Sequence, residues 1–183
     1  DHFPTTQQSM QSMQSIDNLN RQFGIETSVN FCPGPGGLTV AQMRGAHGTA
    51  AIALHGGHVL DYAPEGQRPV LWLSQKAVFA PGKAIRGGIP VCWPWFGPHP
   101  DNPELPAHGF ARNSLWAVTS TDASEHATSI TLGLRDSDET RAVWPHSFGL
   151  AIEVTLAESL TVALTTKNTG ESPIVCSAAL HSY

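Results

Sequence analysis

Residues 150–164, LAIEVTLAESLTVAL, decide the fold class. Leu150, Ile152, Val154 and Leu156 occupy every second position with Glu153 and Thr155 between them, and successive side chains of a strand point to opposite faces. Leu160, Val162 and Leu164 repeat the alternation after Ala157-Glu158-Ser159, so the stretch predicts a hairpin with one buried face. Upstream, residues 49–55 (TAAIALH) and 58–62 (HVLDY) read as two strands about a Gly56-Gly57 turn. Residues 15–24 (SIDNLNRQFG) predict one short helix, with Ile16, Leu19 and Phe23 on one side, Ser15 as cap and Gly24 as stop. CPGPGGLTV, from Cys32, reads as a turn before a strand. Residues 138–144 (DETRAVW), stopped by Pro145, are expected to form at most a helical turn. Many short strands separated by turns imply an all-β, antiparallel β-sandwich.

Composition supports that class. The 183 residues amount to one domain or a piece of one, and the 40% hydrophobic content is enough for a core. Seventeen glycines and fourteen prolines disfavour a helical bundle. The last residues, 172–183 (SPIVCSAALHSY), read as a strand that begins after Pro173, with no stop or polar tail following it. A sheet cut in this way leaves an edge unpaired, so residues 1–183 are expected to be a single domain truncated at its C-terminus.

The formal net charge of −5 is the wrong sign for a nucleic-acid or anionic-membrane surface. No apolar run approaches the ~20 residues that span a bilayer, and the polar opening DHFPTTQQSMQSMQS lacks the apolar stretch of a secretory signal. Cys32, Cys92 and Cys176 are odd in number and widely spaced, which reads as free thiols in a reducing cytoplasm. The expected state is a cytoplasmic monomer without nucleic-acid or membrane partners.

Several catalytic signatures are absent. PGKA at 81–84 lacks the upstream glycine and the hydroxyl of a phosphate loop, PGPGG at 33–37 is not GxGxxG, and no GxSxG elbow occurs. His55-Gly-Gly-His58 invites a metal reading, but the glycine pair is a hairpin signal and no carboxylate or cysteine lies close in sequence. The dense segment is 83–112, KAIRGGIPVCWPWFGPHPDNPELPAHGFAR. It gathers Lys83, Arg86, Arg112, His99, His108, Trp93, Trp95 and Phe96 among prolines and glycines that forbid a regular strand or helix. Long loops held by a scaffold are where sites sit, and aromatic faces beside polar donors suit a sugar ring. Each residue also has a structural reading: the aromatics as core, the arginines as surface ion pairs, His108 as a solvated loop residue, His181 as a core histidine.

Three stretches in order, KAIRGGIPVCWPWFG, PAHGFAR and ALHSY, with SDETRAVWP at 137–145, resemble the D-hexose-6-phosphate mutarotase (glucose-6-phosphate 1-epimerase) family of the galactose-mutarotase-like superfamily. The likeness runs from about Thr49 to Tyr183, although the family more often has threonine where this chain has Ser182. It implies a supersandwich with the site on a concave sheet face, no metal or organic cofactor, and interconversion of the anomers of a hexose 6-phosphate. By the same resemblance His181 protonates the ring oxygen and His108 holds the ring-oxygen side. Arg86 and Arg112, with Lys83, hold the phosphate or neighbouring hydroxyls, and Trp95 and Phe96 meet the sugar. The family's base is a glutamate that the resemblance puts beyond Tyr183; neither Glu153 nor Glu158 sits in a matching motif. The other readings are a non-catalytic carbohydrate-binding or regulatory sandwich, and an aldose 1-epimerase acting on unphosphorylated sugar.

Overall fold

The computed structural model describes residues 15–183, so the polar opening stretch read for a leader lies, Ser15 apart, outside the described residues. The first element is helix α1 (Ile16–Phe23), capped by the Ser15 hydroxyl, which accepts from the Asn18 N–H, and closed by Gly24. Its Leu19 is buried, and the Asn20 side chain exchanges two 2.7 Å hydrogen bonds with the backbone of Phe31, which staples the helix to the first strand.

Strands β1 (Val29–Pro33), β2 (Thr39–Gly45), β3 (Gly48–Ala53) and β4 (His58–Pro64) form an antiparallel meander in chain order. The expected hairpin about Gly56-Gly57 is β3–β4. Cys32 and Pro33, expected in the turn, instead end β1, because proline needs no ladder donor at a strand end. A short β5 (Val91–Cys92) follows, then a second meander of β6 (Ala117–Ala123), β7 (Thr128–Arg135), β8 (Phe148–Leu156) and β9 (Leu160–Asn168). Between β7 and β8 stands a six-residue helix α2 (Asp138–Val143), more than the single turn expected. Ser137 and Thr140 form a reciprocal capping box, and Arg141 pairs with Asp136 and Asp138, which together sustain a helix this short before Pro145.

The alternation at 150–156 holds: Leu150, Ile152, Val154 and Leu156 are buried. Their β9 partners Leu160, Val162 and Leu164 are only half-buried, since β9 pairs with β8 alone within the described sheet. The inward rows of the two meanders share one core, in which Phe31, Met43 and Ile52 meet Ile130, Leu132 and Ile152 around Trp93 and Trp116. Thr128 and Thr121 donate their hydroxyls to the carbonyls of Arg44 and Phe23 and tie the layers together.

The last strand is shorter than expected. Regular pairing covers only β10 (Ala179–Leu180) against β5. The antiparallel register nevertheless continues: Ser177, His181 and Tyr183 donate N–H to the carbonyls of Pro94 (2.9 Å), Pro90 (3.3 Å) and Gly88 (3.0 Å). Pro90 and Pro94 have no N–H to return and the Gly88 N–H goes to Trp72, so these three rungs are one-sided and the ladder is weakened rather than absent. This strip lays residues 177–183 along the dense loop. The three cysteines are free.

Candidate functional site

The loop at 83–112 takes its shape from where its backbone is pinned. Trp93 lies at the centre of the core, with its ring 4.6 Å from Phe148, 5.0 Å from Trp144 and 5.7 Å from Phe110. Its carbonyl accepts from the N–H groups of Phe110 and Ala111. Gly109, at φ +71°, passes so close that a Cβ there would stand 2.0 Å from that carbonyl oxygen, so only glycine fits. The anchor on Trp93 brings His108 back to Gly97, where the two residues form a reciprocal clasp. The His108 N–H donates to the Gly97 carbonyl at 2.7 Å, and the Gly97 N–H donates to His108 Nδ1 at 3.0 Å.

That clasp assigns the tautomer. An Nδ1 that accepts from a backbone N–H holds no proton, so neutral His108 carries its proton on Nε2. Burial holds its pKa below the usual histidine range, and the charges of Arg112 and His181 press in the same direction. His108 is therefore a neutral imidazole with its donor fixed on Nε2.

His181 is exposed and sits on the 177–183 strip with its N–H on Pro90. Its ring stacks on Tyr183 at 4.5 Å and on Phe96 at 6.5 Å. Phe96 in turn lies 4.9 Å from His108, so one half-exposed phenyl ring bridges the two imidazoles on one surface. Arg112 backs this group: Nη2 donates to the Ala107 carbonyl at 2.7 Å, which braces the turn that carries His108, and its buried Nε has no partner among the described residues.

Of the two aromatics expected to meet a sugar, Phe96 is 49% exposed and Trp95 only 6%. The Trp95 indole N–H is engaged by the Pro106 carbonyl and its ring packs on His99 and Phe110, so it supports the loop from beneath instead of facing solvent. Lys83 and Arg86 are exposed on the same loop, held through their carbonyls by His55 Nε2 and the Ser74 N–H. The structure thus brings His108, His181, Phe96 and Arg112 together, and leaves the Lys83 and Arg86 side chains at the solvent edge.

Two aromatic residues extend the row without having been anticipated. Trp72 lies 6.2 Å from Tyr183 and donates its N–H to the Tyr183 carbonyl, and both are about half exposed. The row now runs Trp72, Tyr183, His181, Phe96, His108. Tyr183 closes the ALHSY stretch, but nothing near Trp72 in sequence signals that its backbone meets residue 183. The hairpin histidines behave differently: His55 and His58 are buried, and His58 Nε2 lies 2.7 Å from the Gly87 carbonyl oxygen.

The family model for aldose 1-epimerase matches residues 40–183. An Escherichia coli protein whose provisional name is glucose-6-phosphate 1-epimerase is 42% identical over 134 residues, 73% of this chain and 44% of that protein. The crystal structure of a provisionally named mutarotase from Salmonella typhimurium superposes with a TM-score of 0.74 at 34% identity, over 79% of this chain and 48% of that one. A galactose mutarotase-like protein from Lactobacillus casei, at 21% identity, shares the fold with a TM-score of 0.58 over 70% of this chain and 44% of its own. The antiparallel sandwich is therefore galactose mutarotase-like. The chain spans less than half the length of the curated relatives it matches. Among the described residues no helix is long and apolar enough to cross a membrane.

Proposed function

The chain belongs to the aldose 1-epimerase family, and on that premise we propose that it takes part in interconverting the α and β anomers of a hexose 6-phosphate. The observation that carries the reading is the pair of imidazoles, one locked as a neutral donor and one exposed, on either side of Phe96. Ring opening breaks the C1–O5 bond: a base takes the proton of the C1 hydroxyl while an acid gives one to O5. Rotation about C1–C2 in the aldehyde then lets the ring close on the other face, with both protons returned. His181 is the acid, since it is the exposed imidazole of the pair and a positioned histidine can pass a proton to a ring oxygen. His108 cannot take that role with equal ease, because a proton added at Nδ1 would break the bond from Gly97; it holds the ring-oxygen side through Nε2–H. The resemblance gives the base to a glutamate with no counterpart among the motifs of this chain.

The C6 phosphate carries about −1.5 to −2 charges and calls for guanidinium donors. Arg86, exposed on the turn whose Gly88 is bonded through the backbone to Trp72 and Tyr183, supplies them, with Lys83 in the same loop. Arg112 has given one nitrogen to Ala107, so it serves neighbouring hydroxyls and the turn that carries His108. Phe96 offers its face to the apolar C–H side of the ring. The partner in this reading is a phosphorylated hexose, the working unit is a cytoplasmic monomer, and residues 1–183 belong to one mutarotase-like domain.

The test is two-dimensional exchange NMR of glucose 6-phosphate with the protein expressed from its complete reading frame. The reading expects anomer cross-peaks to build up well above the buffer rate, and faster for glucose 6-phosphate than for glucose. Saturable binding without accelerated exchange would make the protein a carbohydrate-binding sandwich instead, and equal rates on both sugars would remove the phosphate from its specificity.

A further inference from the structure

His58 is a buried polar group that the reaction described above leaves without a role. It opens β4 directly after the Gly56-Gly57 turn and is fully buried. An imidazole taken out of water is unfavourable unless it is hydrogen-bonded. His58 makes one such bond, from Nε2 to the Gly87 carbonyl, and since a carbonyl only accepts, Nε2 carries the proton. Nδ1 is left with a lone pair and no partner among the described residues. A leucine or phenylalanine would fill the same space without an orphaned nitrogen. What the imidazole adds is the donor to Gly87.

That carbonyl belongs to the turn that presents Arg86. Four backbone bonds pin the flanks of the turn: Ser74 N–H to Arg86, Gly88 N–H to Trp72 at 2.8 Å, Tyr183 N–H to Gly88 at 3.0 Å, and Ile89 N–H to Val59 at 2.9 Å. Gly87 and Gly88 both have positive φ, which aims the carbonyl between them inward at His58. The turn lies flush on the imidazole: a Cβ on Gly88 would stand 3.0 Å from His58 Nε2 and 2.3 Å from the Val59 carbonyl oxygen.

We infer that His58 is a positioning residue: its Nε2–H fixes the Gly87 peptide and so sets the direction in which Arg86 projects toward the phosphate. The inference rests on the proposed function, in which Arg86 meets the phosphate. His58 touches no substrate; it acts through the turn.

The experiment compares His58→Leu, which fills the space without a donor, with His58→Gln, whose amide N–H reaches the carbonyl, in the protein from its complete reading frame. His58→Leu is expected to raise KM for glucose 6-phosphate about tenfold, the usual worth of a hydrogen bond, with kcat and the KM for glucose within twofold. His58→Gln is expected to restore most of the loss. Equal losses on both sugars, a Gln variant no better than Leu, or wild-type KM in the Leu variant would each overturn the inference. Should His58→Leu not fold, His58→Asn takes its place, since its amide is too short to reach Gly87. Amide hydrogen exchange at Gly88 and Ile89 separates this inference from the reading beneath it. If Arg86→Ala leaves the glucose 6-phosphate KM unchanged, Arg86 does not read the phosphate, and unaltered exchange in the donor-less variant overturns the anchoring of the turn as well. Faster exchange there upholds the anchoring.

Discussion

The molecule holds two pairs of histidines that use their nitrogens in opposite ways. His55 and His58, on the β3–β4 hairpin, are buried, and each gives its Nε2 to a carbonyl of the dense loop, Lys83 and Gly87 respectively. His108 and His181 lie at the surface of that same loop and the strip paired with it, and there Nε2 makes no hydrogen bond to any described residue. An imidazole whose donor is committed to the fold can hold a site but cannot exchange a proton with a ligand. One anchored through Nδ1 or through its backbone keeps its donor for a substrate.

Four substitutions or conditions break or sharpen this division. The largest effect is expected at His181, where His181→Asn removes the acid at an exposed position, and turnover should fall by ~10²–10⁴ in the exchange assay with the fold intact. Normal turnover would take the acid away from the surface pair. Next is the acid sensitivity that His58 confers. Burial is the main force holding its pKa down at about 4, with the facing charges of His55 and Arg112 adding to it, against the opposing bond to Gly87. The unfolded chain binds this proton near pH 6.5 and the folded chain only near 4, so the stabilisation is complete above pH 6.5 and fades as the pH falls toward 4. Between pH 7 and pH 4 the wild type should lose about 3 kcal/mol more unfolding free energy than His58→Gln, as measured by urea denaturation. Parallel pH profiles would show that His58 is not held neutral by the fold.

Arg86→Ala comes third. Loss of a charge-assisted hydrogen bond costs ~1.5–3 kcal/mol, so affinity for glucose 6-phosphate should fall roughly ten- to a hundredfold while glucose is unaffected, as read by isothermal titration. The smallest effect belongs to His108→Asn. It removes one neutral donor, worth ~0.5–1.5 kcal/mol, so a loss of turnover up to about tenfold is expected with the fold intact. A loss as large as that of His181→Asn would mean that His108 also transfers a proton.

How much of this could be read from the sequence depended on how regular the backbone is. Residues 150–156 read correctly because both faces of β8 have one kind of neighbour, so period two survives intact. The same period runs through β7 as Ile130, Leu132 and Leu134, but Thr131 and Gly133 between them blur the contrast, so the sequence does not single this strand out. The final strand read too long because Pro90 and Pro94, its partners, cannot return hydrogen bonds; that is a property of the opposite strand, invisible in SPIVCSAALHSY. In the site, RGGIP and HGFAR were legible as a glycine-bound arginine and a loop histidine. Trp95 and Phe96 are adjacent in an irregular loop, so no periodicity tells which faces inward. The His108 tautomer depends on Gly97, eleven residues away, and the meeting of Trp72 with Tyr183 on a contact more than a hundred residues long.

The division between the two pairs can be observed directly by ¹⁵N NMR of the imidazole nitrogens during titration with glucose 6-phosphate at neutral pH. The account predicts that His108 shows a bare Nδ1 and a protonated Nε2 before ligand, and that the signals of His108 and His181 shift together on binding. Those of His55 and His58 stay where they are. Shifts confined to His55 and His58, with His108 and His181 unmoved, would contradict it.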